Sequence, residues 1–308
     1  EYVLDFHYAS QCTPLFDSTA LDWYAPWCEA IAPELEPPRL RWAGDRAGRT
    51  ADAIAGIPAG TPVITGTIDA WSEAVSVGGQ EPGDLMLMYG TTMFLVLTLE
   101  TAASEPTMWG TVGAFEGTRN LAGGMATSGA ITTWLRELTG GEYATLMREA
   151  AAAGVGAGGI LMLPYFAGER TPLQDPDARG VITGLTLSTT RGDLYRAALE
   201  ATAFGVRHNV ETMASTGAIA RRVIAVGGGT QGDLWPQIVS DVTGLGQAIP
   251  SDTSGASFGA AFLAAGLVGS PEIAAWNPIG RTVSPNPEGK RRYEEFYLLY
   301  RTLRSAAA

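Results

Sequence analysis

The sequence has very little lysine, histidine or cysteine. Lys290 is the only lysine among the 308 residues, and there are two histidines and two cysteines. A Walker-type phosphate loop places a lysine beside Ser or Thr after its glycines, so that loop is excluded. Any phosphate would have to be held by backbone amides, hydroxyls or arginine.

The histidines and cysteines are too few and too scattered for the usual metal and nucleophile sites. His7 and His208 lie far apart, and Cys12 and Cys28 form no C-x-x-C pair. We therefore expect no zinc site, no Cys–His pair and no protein metal ligands. Because no disulfide framework is indicated, a reducing cytoplasm is the expected compartment.

Positive charge is also scarce. The chain has 20 Lys and Arg against 32 Asp and Glu, which gives a net charge of -12. This balance argues against a nucleic-acid partner or an anionic membrane surface. The apolar stretch over 256–268 is too short to span a bilayer, so we expect no membrane partner.

Short strand patterns alternate with helix patterns along most of the chain, which predicts an α/β fold. An aromatic helix with Trp23, Tyr24 and Trp27 is predicted near the start, and helical spacing favours core packing for these rings over ligand stacking. The remaining predicted helices cover 46–55, 131–138, 143–152, 191–213, 234–243, 256–265 and 293–306. The predicted strands cover 62–66, 84–99, 108–115, 160–164, 181–187, 222–226 and 247–249.

Residues 61–95 contain the most informative pattern. An apolar run ends in Gly66-Thr67-Ile68-Asp69, and a second apolar run holds Gly90-Thr91. A carboxylate at a strand end and a Gly-Thr turn between strands suggest a base and a phosphate holder, hence phosphoryl transfer to a hydroxyl. An Asp cap followed by an ordinary hairpin turn explains the same residues equally well.

A glycine triplet follows the predicted strand over 222–226. Gly227-Gly228-Gly229 stands between that strand and a helix, where glycine lets a ligand approach the backbone and the helix N-terminus favours phosphate. A lone triplet is more often a plain tight turn, although the strand–turn–helix context favours a ligand. The dinucleotide fingerprint G-x-G-x-x-G is not met.

A charge pair, Glu169-Arg170, lies in a predicted loop over 165–180 with two prolines. We interpret it as a salt-bridged loop anchor in preference to a functional pair.

Taken together, these patterns resemble the FGGY carbohydrate kinases, the sugar kinases with an actin-like fold. Residues 180–200 match the second family signature, including Gly184, Asp193, Ala197 and Glu200, and Gly168 to Pro172 is similar to the loop that precedes it. Residues 226–244 resemble the adenosine-binding turn and helix, and 257–266 the small-residue helix near the C-terminus. The implied fold is an actin-like ATPase (ribonuclease H-like) fold, with a mixed sheet flanked by helices.

The resemblance also implies roles for individual residues. Asp69 matches the general base, which accepts the proton of the attacking sugar hydroxyl, and Phe94 falls where some members line the sugar pocket. The phosphates of ATP would be held at Gly90 and Thr91. The turns that face the nucleotide would use Gly184, Gly228, Gly229 and Asp233. ATP and Mg²⁺ are the implied cofactors, and the implied acceptor is a small sugar, with a ketopentose such as xylulose favoured.

The family's first phosphate turn, Asp-x-Gly-Thr, is not found at the start of this sequence. By the resemblance, residues 1–79 correspond to the end of domain I and residues 80–308 to the C-terminal, nucleotide-binding domain. The last helix, about 286–308, would return toward domain I. A truncated, non-catalytic nucleotide-binding remnant is the alternative to a working kinase. The sequence also leaves a homodimer open.

Overall fold

The computed structural model describes residues 1–252 and 254–307, and it contains strands and helices in alternation. The strands are β1 (Val3–Asp5), β2 (Phe16–Asp17), β3 (Asp22–Trp23), β4 (Arg39–Arg41), β5 (Arg46–Arg49), β6 (Pro62–Ile64), β7 (Asp84–Tyr89), β8 (Met93–Leu99), β9 (Trp109–Val112), β10 (Arg119–Met125), β11 (Leu161–Leu163), β12 (Val181–Thr183), β13 (Arg222–Val226), β14 (Gln247–Pro250) and β15 (Ile279–Val283). The helices are α1 (Phe6–Ala9), α2 (Ala25–Ile31), α3 (Asp69–Ser76), α4 (Gly129–Thr139), α5 (Tyr143–Ala153), α6 (Arg191–Ser215), α7 (Leu234–Thr243), α8 (Ala256–Ala265), α9 (Ile273–Trp276) and α10 (Pro287–Ala307).

One large mixed sheet organises the molecule. Within the described residues it has seven strands in the order β15-β14-β13-β7-β8-β10-β9. The central strand β13 runs parallel to β7 and β14, whereas the β7–β8, β8–β10, β10–β9 and β14–β15 pairs are antiparallel. The described residues also form four two-stranded sheets: β1 with β4, β2 with β3, β5 with β6, and β11 with β12.

Alternating side chains of the central strands divide the core between the two faces of this sheet. Met93, Leu95 and Leu97 of β8 join the larger buried cluster with residues of α4, α5, α6, α7 and α10. Val96 and Phe94 point the other way, into a second cluster that contains residues of α3 and α8. The period-2 alternation of a strand thus places one helical layer on each face.

Residues 1–66 form small sheets and short helices that are tied to the main sheet through α1. His7 is fully buried, stacks on Trp71 of α3 with 3.8 Å between ring centroids, and its Nδ1 lies 2.8 Å from Val112 O. The Val112 N–H donates to Ser10 Oγ at 3.1 Å. Strand β9 and helix α3 therefore link the first part of the chain to the sheet.

Two sequence predictions for the first part are wrong. Residues 46–55 do not form a helix, because 46–49 pair with β6 as strand β5. The aromatic helix exists as α2, but Tyr24 and Trp27 are 42% and 48% exposed and do not pack in a core. Trp23 lies in β3, where it meets Phe16 edge-on.

Strand β10, which lies between β8 and β9 in the sheet, was missed from sequence because it contains Gly123-Gly124. Glycine weakens a strand, so the segment does not resemble one. The structure shows why the glycine is needed: a Cβ on Gly123 would lie 2.8 Å from Asn209 Oδ1 and 2.9 Å from Thr171 Oγ1. Strands β1, β4 and β15 and helix α3 were also not predicted.

The second half of the chain matches prediction more closely. The long helix α6 begins at Arg191, as predicted, and Thr190 and Asp193 form a reciprocal capping box at its start. The polar segment over 165–180 is a loop with isolated bridges, as predicted.

The closing helix α10 packs against α6, α7 and β11. The division of the chain at residue 79 stays a prediction, and Ala308 lies outside the described residues. No helix in the described ranges combines the length and apolar character needed to cross a membrane.

Candidate active site

Two glycine turns meet at one edge of the main sheet. Strands β7 and β13 are parallel neighbours, with Met88 opposite Val226. Their carboxyl ends therefore lie side by side, and each continues directly into a glycine turn: Gly90 to Thr92 after β7, and Gly227 to Gly229 after β13. Ligands of open α/β sheets bind in crevices at such strand ends.

The first turn is held from behind by the start of α4. The N–H groups of Ser128 and Ala130 donate to Thr91 O, and the Gly129 N–H donates to Gly90 O. Thr91 is exposed, and among the described residues neither its N–H nor its hydroxyl has a protein hydrogen-bond partner. The turn thus presents a free amide and a free hydroxyl to solvent.

The second turn fits tightly on the protein side and is open on the other. A Cβ on Gly227, whose φ is +92°, would lie 2.6 Å from Tyr89 O, and one on Gly229 would lie 2.8 Å from Trp235 and Tyr89 side-chain atoms. Around Gly228, by contrast, a Cβ would meet nothing within 4 Å. A ligand can therefore approach the backbone at Gly228.

A cavity of about 530 Å³ opens beside the start of α3. Ile68 and Ala70, the two neighbours of Asp69, line it together with Phe94 of β8. The rest of its wall combines residues of the turn after α1, of α3 and of the segment that enters and forms β9: Ser10, Gln11, Thr13, Trp71, Met108, Trp109, Gly110 and Thr111. The structure thus places Asp69 between two residues of the cavity wall, and Phe94, which the resemblance assigns to the sugar pocket, on that wall.

Asp69 is exposed and is the first residue of α3. Its Oδ1 accepts the backbone N–H of Ala70 at 2.7 Å. The sequence placed it at a strand end, but β6 ends at Ile64 and the carboxylate opens a helix instead. Glu73 lies one turn further along α3, where burial and then the charge of Asp69 raise the pKa of the Glu73 carboxyl.

Two predicted nucleotide residues have other contacts. Gly184, with φ +81°, follows β12, and a Cβ there would lie 2.3 Å from Gly159 O, so glycine permits a close backbone crossing at that point. Asp233 precedes α7 and forms an ion pair with Arg281, with 2.5 Å between Asp233 Oδ1 and Arg281 Nη1. No backbone hydrogen bond among the described residues joins Gly184 to the two glycine turns.

The Glu169-Arg170 pair is not a salt bridge among the described residues. The buried Glu169 Oε1 instead accepts the Ala126 and Arg170 backbone N–H groups, both at 2.8 Å. Burial raises the pKa of this carboxyl to about 7. The interpretation as a loop anchor holds, but the anchor is a carboxylate–amide contact.

Sequence reasoning missed the N-terminus of α4 and the aromatic wall of the cavity. Residues 128–130 support the first glycine turn. The sequence did not indicate this role, because the helix was predicted to begin only at residue 131. Trp71 and Trp109 lie far apart in sequence, and no local pattern could pair them.

The site therefore combines an exposed carboxylate, a cavity with polar and aromatic walls, and two backbone turns suited to phosphate. Structural comparison places it on an actin-like ATPase fold, as expected from the sequence. The xylulose kinase of Rhodospirillum rubrum superposes with a TM-score of 0.89 at 31% identity, over 99% of this chain and 64% of that structure.

The sequence comparisons define the family. The model of the FGGY family of carbohydrate kinases, C-terminal domain, matches residues 85–267. A ribulokinase of Mycolicibacterium smegmatis is 34% identical over 283 residues, which is 83% of this chain and 50% of the relative. A glycerol kinase of Corynebacterium efficiens is 34% identical over 282 residues, 86% of this chain and 53% of the relative. The chain belongs to the FGGY family of carbohydrate kinases, and it spans about half the length of these curated relatives.

Proposed function

We propose that this chain supplies the nucleotide site and the general base of an ATP-dependent kinase that phosphorylates a sugar hydroxyl. The observation that carries the proposal is that the cavity wall includes both neighbours of Asp69 and also Phe94 of β8, the strand that follows the first glycine turn. Family membership supports the reaction class. A ketopentose is the proposed acceptor, since relatives are named ribulokinase and xylulose kinase, although others are named glycerol kinase.

Asp69 is the proposed base. An exposed carboxylate between two residues of the cavity wall can accept the proton of a bound hydroxyl as that hydroxyl attacks the terminal phosphate. Phe94 and the tryptophans of the cavity wall offer apolar faces to the carbon skeleton of a sugar, and the polar wall residues offer hydrogen-bond partners to its hydroxyls.

The phosphates of ATP are assigned to the two glycine turns. The Thr91 N–H and hydroxyl would hold one phosphate, and the backbone at Gly228 and Gly229 would face the nucleotide. Gly184 and Asp233 keep their assignment from the resemblance, but their contacts described above give it no further support. A cytoplasmic location belongs to the same proposal.

Mg²⁺ is implied only by the family. Within the described residues no group of three or more His, Cys, Asp or Glu side chains could hold a metal ion. The proposal therefore gives Mg²⁺ no protein ligands from this chain and places no step on it.

The test is sugar-dependent ADP release by Asp69→Asn, with Glu73→Gln as the control. Asp69→Asn should keep nucleotide binding and lose turnover by roughly 10²- to 10⁴-fold, because the amide cannot accept the proton. Glu73→Gln removes a carboxylate one helical turn away and should change turnover by less than about threefold. Unchanged turnover in Asp69→Asn would remove this residue from the role of base.

The second candidate is a nucleotide-binding remnant without catalysis. The observation that favours it is that both glycine turns follow strands of the main sheet, so nucleotide binding at these turns needs no contribution from Asp69. ADP binding without sugar-dependent turnover for any ketopentose or glycerol would support it, whereas robust turnover would exclude it.

A further inference from the structure

The loop over 165–180 packs against the end of β10, directly behind the first glycine turn. The Thr171 Oγ1 accepts the Gly124 N–H at 2.7 Å, and the backbone N–H of Thr171 donates to Gly124 O at 3.1 Å. The Thr127 hydroxyl donates to Pro164 O. At the centre of this contact, Glu169 Oε1 accepts the Ala126 N–H at 2.8 Å.

Glu169 is an unusual residue for a structural contact. It is 5% exposed, and no arginine, lysine or histidine forms an ion pair with it in the described part of the chain. A buried carboxylate without an ion-pair partner is costly, and the charge of the neighbouring Arg170 offsets only part of that cost. One oxygen atom makes both of its hydrogen bonds, to the Ala126 and Arg170 amides.

The segment that Glu169 holds is the short link between β10 and α4. This link leads into Ser128, Gly129 and Ala130, whose N–H groups bind the carbonyls of Gly90 and Thr91. Thr91, whose carbonyl is held in this way, is exposed, and in the described part of the chain neither its N–H nor its hydroxyl has a protein partner. The chain of contacts therefore runs from Glu169 through the link to the orientation of the first glycine turn.

We propose that Glu169 is a positioning residue for nucleotide binding: its buried carboxylate oxygen fixes the β10–α4 link and thereby aims the Thr91 amide and hydroxyl at a bound phosphate. The inference rests on the proposed nucleotide site and adds a residue that does not touch the ligand. In this role the side chain acts as a hydrogen-bond acceptor, and its negative charge is not required.

The experiment measures ADP affinity by isothermal titration calorimetry for the wild-type chain, Glu169→Ala and Glu169→Gln. Glutamine keeps one oxygen that can accept both amides, so its affinity should stay within about threefold of wild type. Alanine leaves the buried Ala126 amide without an acceptor, and the affinity should fall by about tenfold. All titrations are run at a temperature where circular dichroism shows every variant to be folded.

The matched control is Asp84→Ala. Asp84 is also a buried carboxylate, but it lies at the opposite end of β7, where it pairs with Arg222 at 2.6 Å. This variant should lose stability without losing ADP affinity. Hydrogen exchange at the Ala126 amide should accelerate in Glu169→Ala and stay slow in the control.

The outcomes are distinct. Normal ADP affinity in Glu169→Ala would overturn the positioning role while leaving the nucleotide site intact. Equal losses in Glu169→Ala and Asp84→Ala would reduce the effect to general destabilisation and also overturn it. If the wild-type chain binds no ADP, the proposed nucleotide site fails, and the positioning role fails with it.

Discussion

Asp5 carries a buried carboxylate close to the segment that precedes the proposed base. It is 4% exposed, and its Oδ2 accepts the Thr67 hydroxyl at 2.7 Å, two residues before Asp69. Burial raises the pKa of Asp5 to about 6, and the Thr67 hydroxyl opposes that rise without cancelling it. The folded state therefore binds the proton of this side chain more strongly than the unfolded state does.

The sign of the pH effect follows from that shift. Below about pH 4 the carboxyl is protonated in both states, and its contribution to stability is fully present. As the pH rises through 6, the folded state must ionise a buried group, and this contribution is lost. Asp5→Asn cannot ionise, so its stability relative to wild type should improve between pH 4 and pH 7 by on the order of 2 kcal/mol.

Urea unfolding at both pH values measures this difference. Asp17→Asn is the control, because the exposed Asp17 carboxylate accepts the Thr19 and Ala20 amides and its pKa is lowered. That substitution should worsen stability relative to wild type as the pH rises, the opposite sign. A pH-independent difference for Asp5→Asn would contradict the assignment of a raised pKa.

At the scale of single residues, the sequence predicted what is local and missed what is spatial. Asp69 and Gly90 each belong to a short pattern, and the role of Phe94 was implied by the family resemblance. The roles of Asp5 and Glu169 depend on partners 62 and 43 positions away in the chain. Such pairs become neighbours only through folding, so no pattern in one sequence indicates them.

Among the elements, helices α3 and α8 cross at very short distance on one face of the sheet. A Cβ on Gly259 of α8 would lie 1.8 Å from Ser72 O and 2.7 Å from Ser72 C, which are backbone atoms of α3. Because backbone atoms cannot rotate away as a side chain can, the helices must separate to admit a methyl group. The same helix α3 carries Asp69 at its first position.

Gly259→Ala should therefore destabilise the chain by about 2–3 kcal/mol or more, as overpacking does in close-packed cores. Gly269→Ala is the control, since Gly269 is exposed just beyond α8 and a Cβ there meets only Ala265 O at 3.9 Å. Urea unfolding of both variants measures the difference. Equal stabilities would show that the crossing is looser than the structure indicates.

The elements also explain the family signature in physical terms. Asp193 closes the capping box of α6, and Glu200 forms a buried ion pair with Arg196 at 2.7 Å and accepts the Tyr293 hydroxyl at 2.9 Å. These residues fix a helix start and dock α10, and they thereby stabilise the fold. Strand β13 and helices α7 and α8 were predicted with their observed bounds because periodicity and glycine punctuation agree there. Helix α3 was missed because it is short and lacks a side-chain cap.

For the whole molecule, the question is whether residues 1–66 and the main sheet unfold together. The contacts that join them are buried and include His7 on Trp71, His7 to Val112 and Ser10 to Val112. The proposed nucleotide site uses turns of the sheet alone. A ligand at that site stabilises the first part of the chain only if the two parts unfold as one unit.

We expect them to do so, because burial of His7 and Trp71 links α1, α3 and β9 into continuous packing. At an ADP concentration 100 times the dissociation constant, the free energy of unfolding should rise by about 2.7 kcal/mol. Hydrogen exchange measures where this stabilisation appears. ADP should slow exchange to the same degree at the slowest amides of β7 and β8 and at those of α1 and β1. In His7→Ala the coupling should weaken, so that ADP protects the sheet more than it protects α1. Protection confined to the sheet in the wild-type chain would show that residues 1–66 unfold independently, and the contacts of His7 would then be too weak to make one cooperative unit.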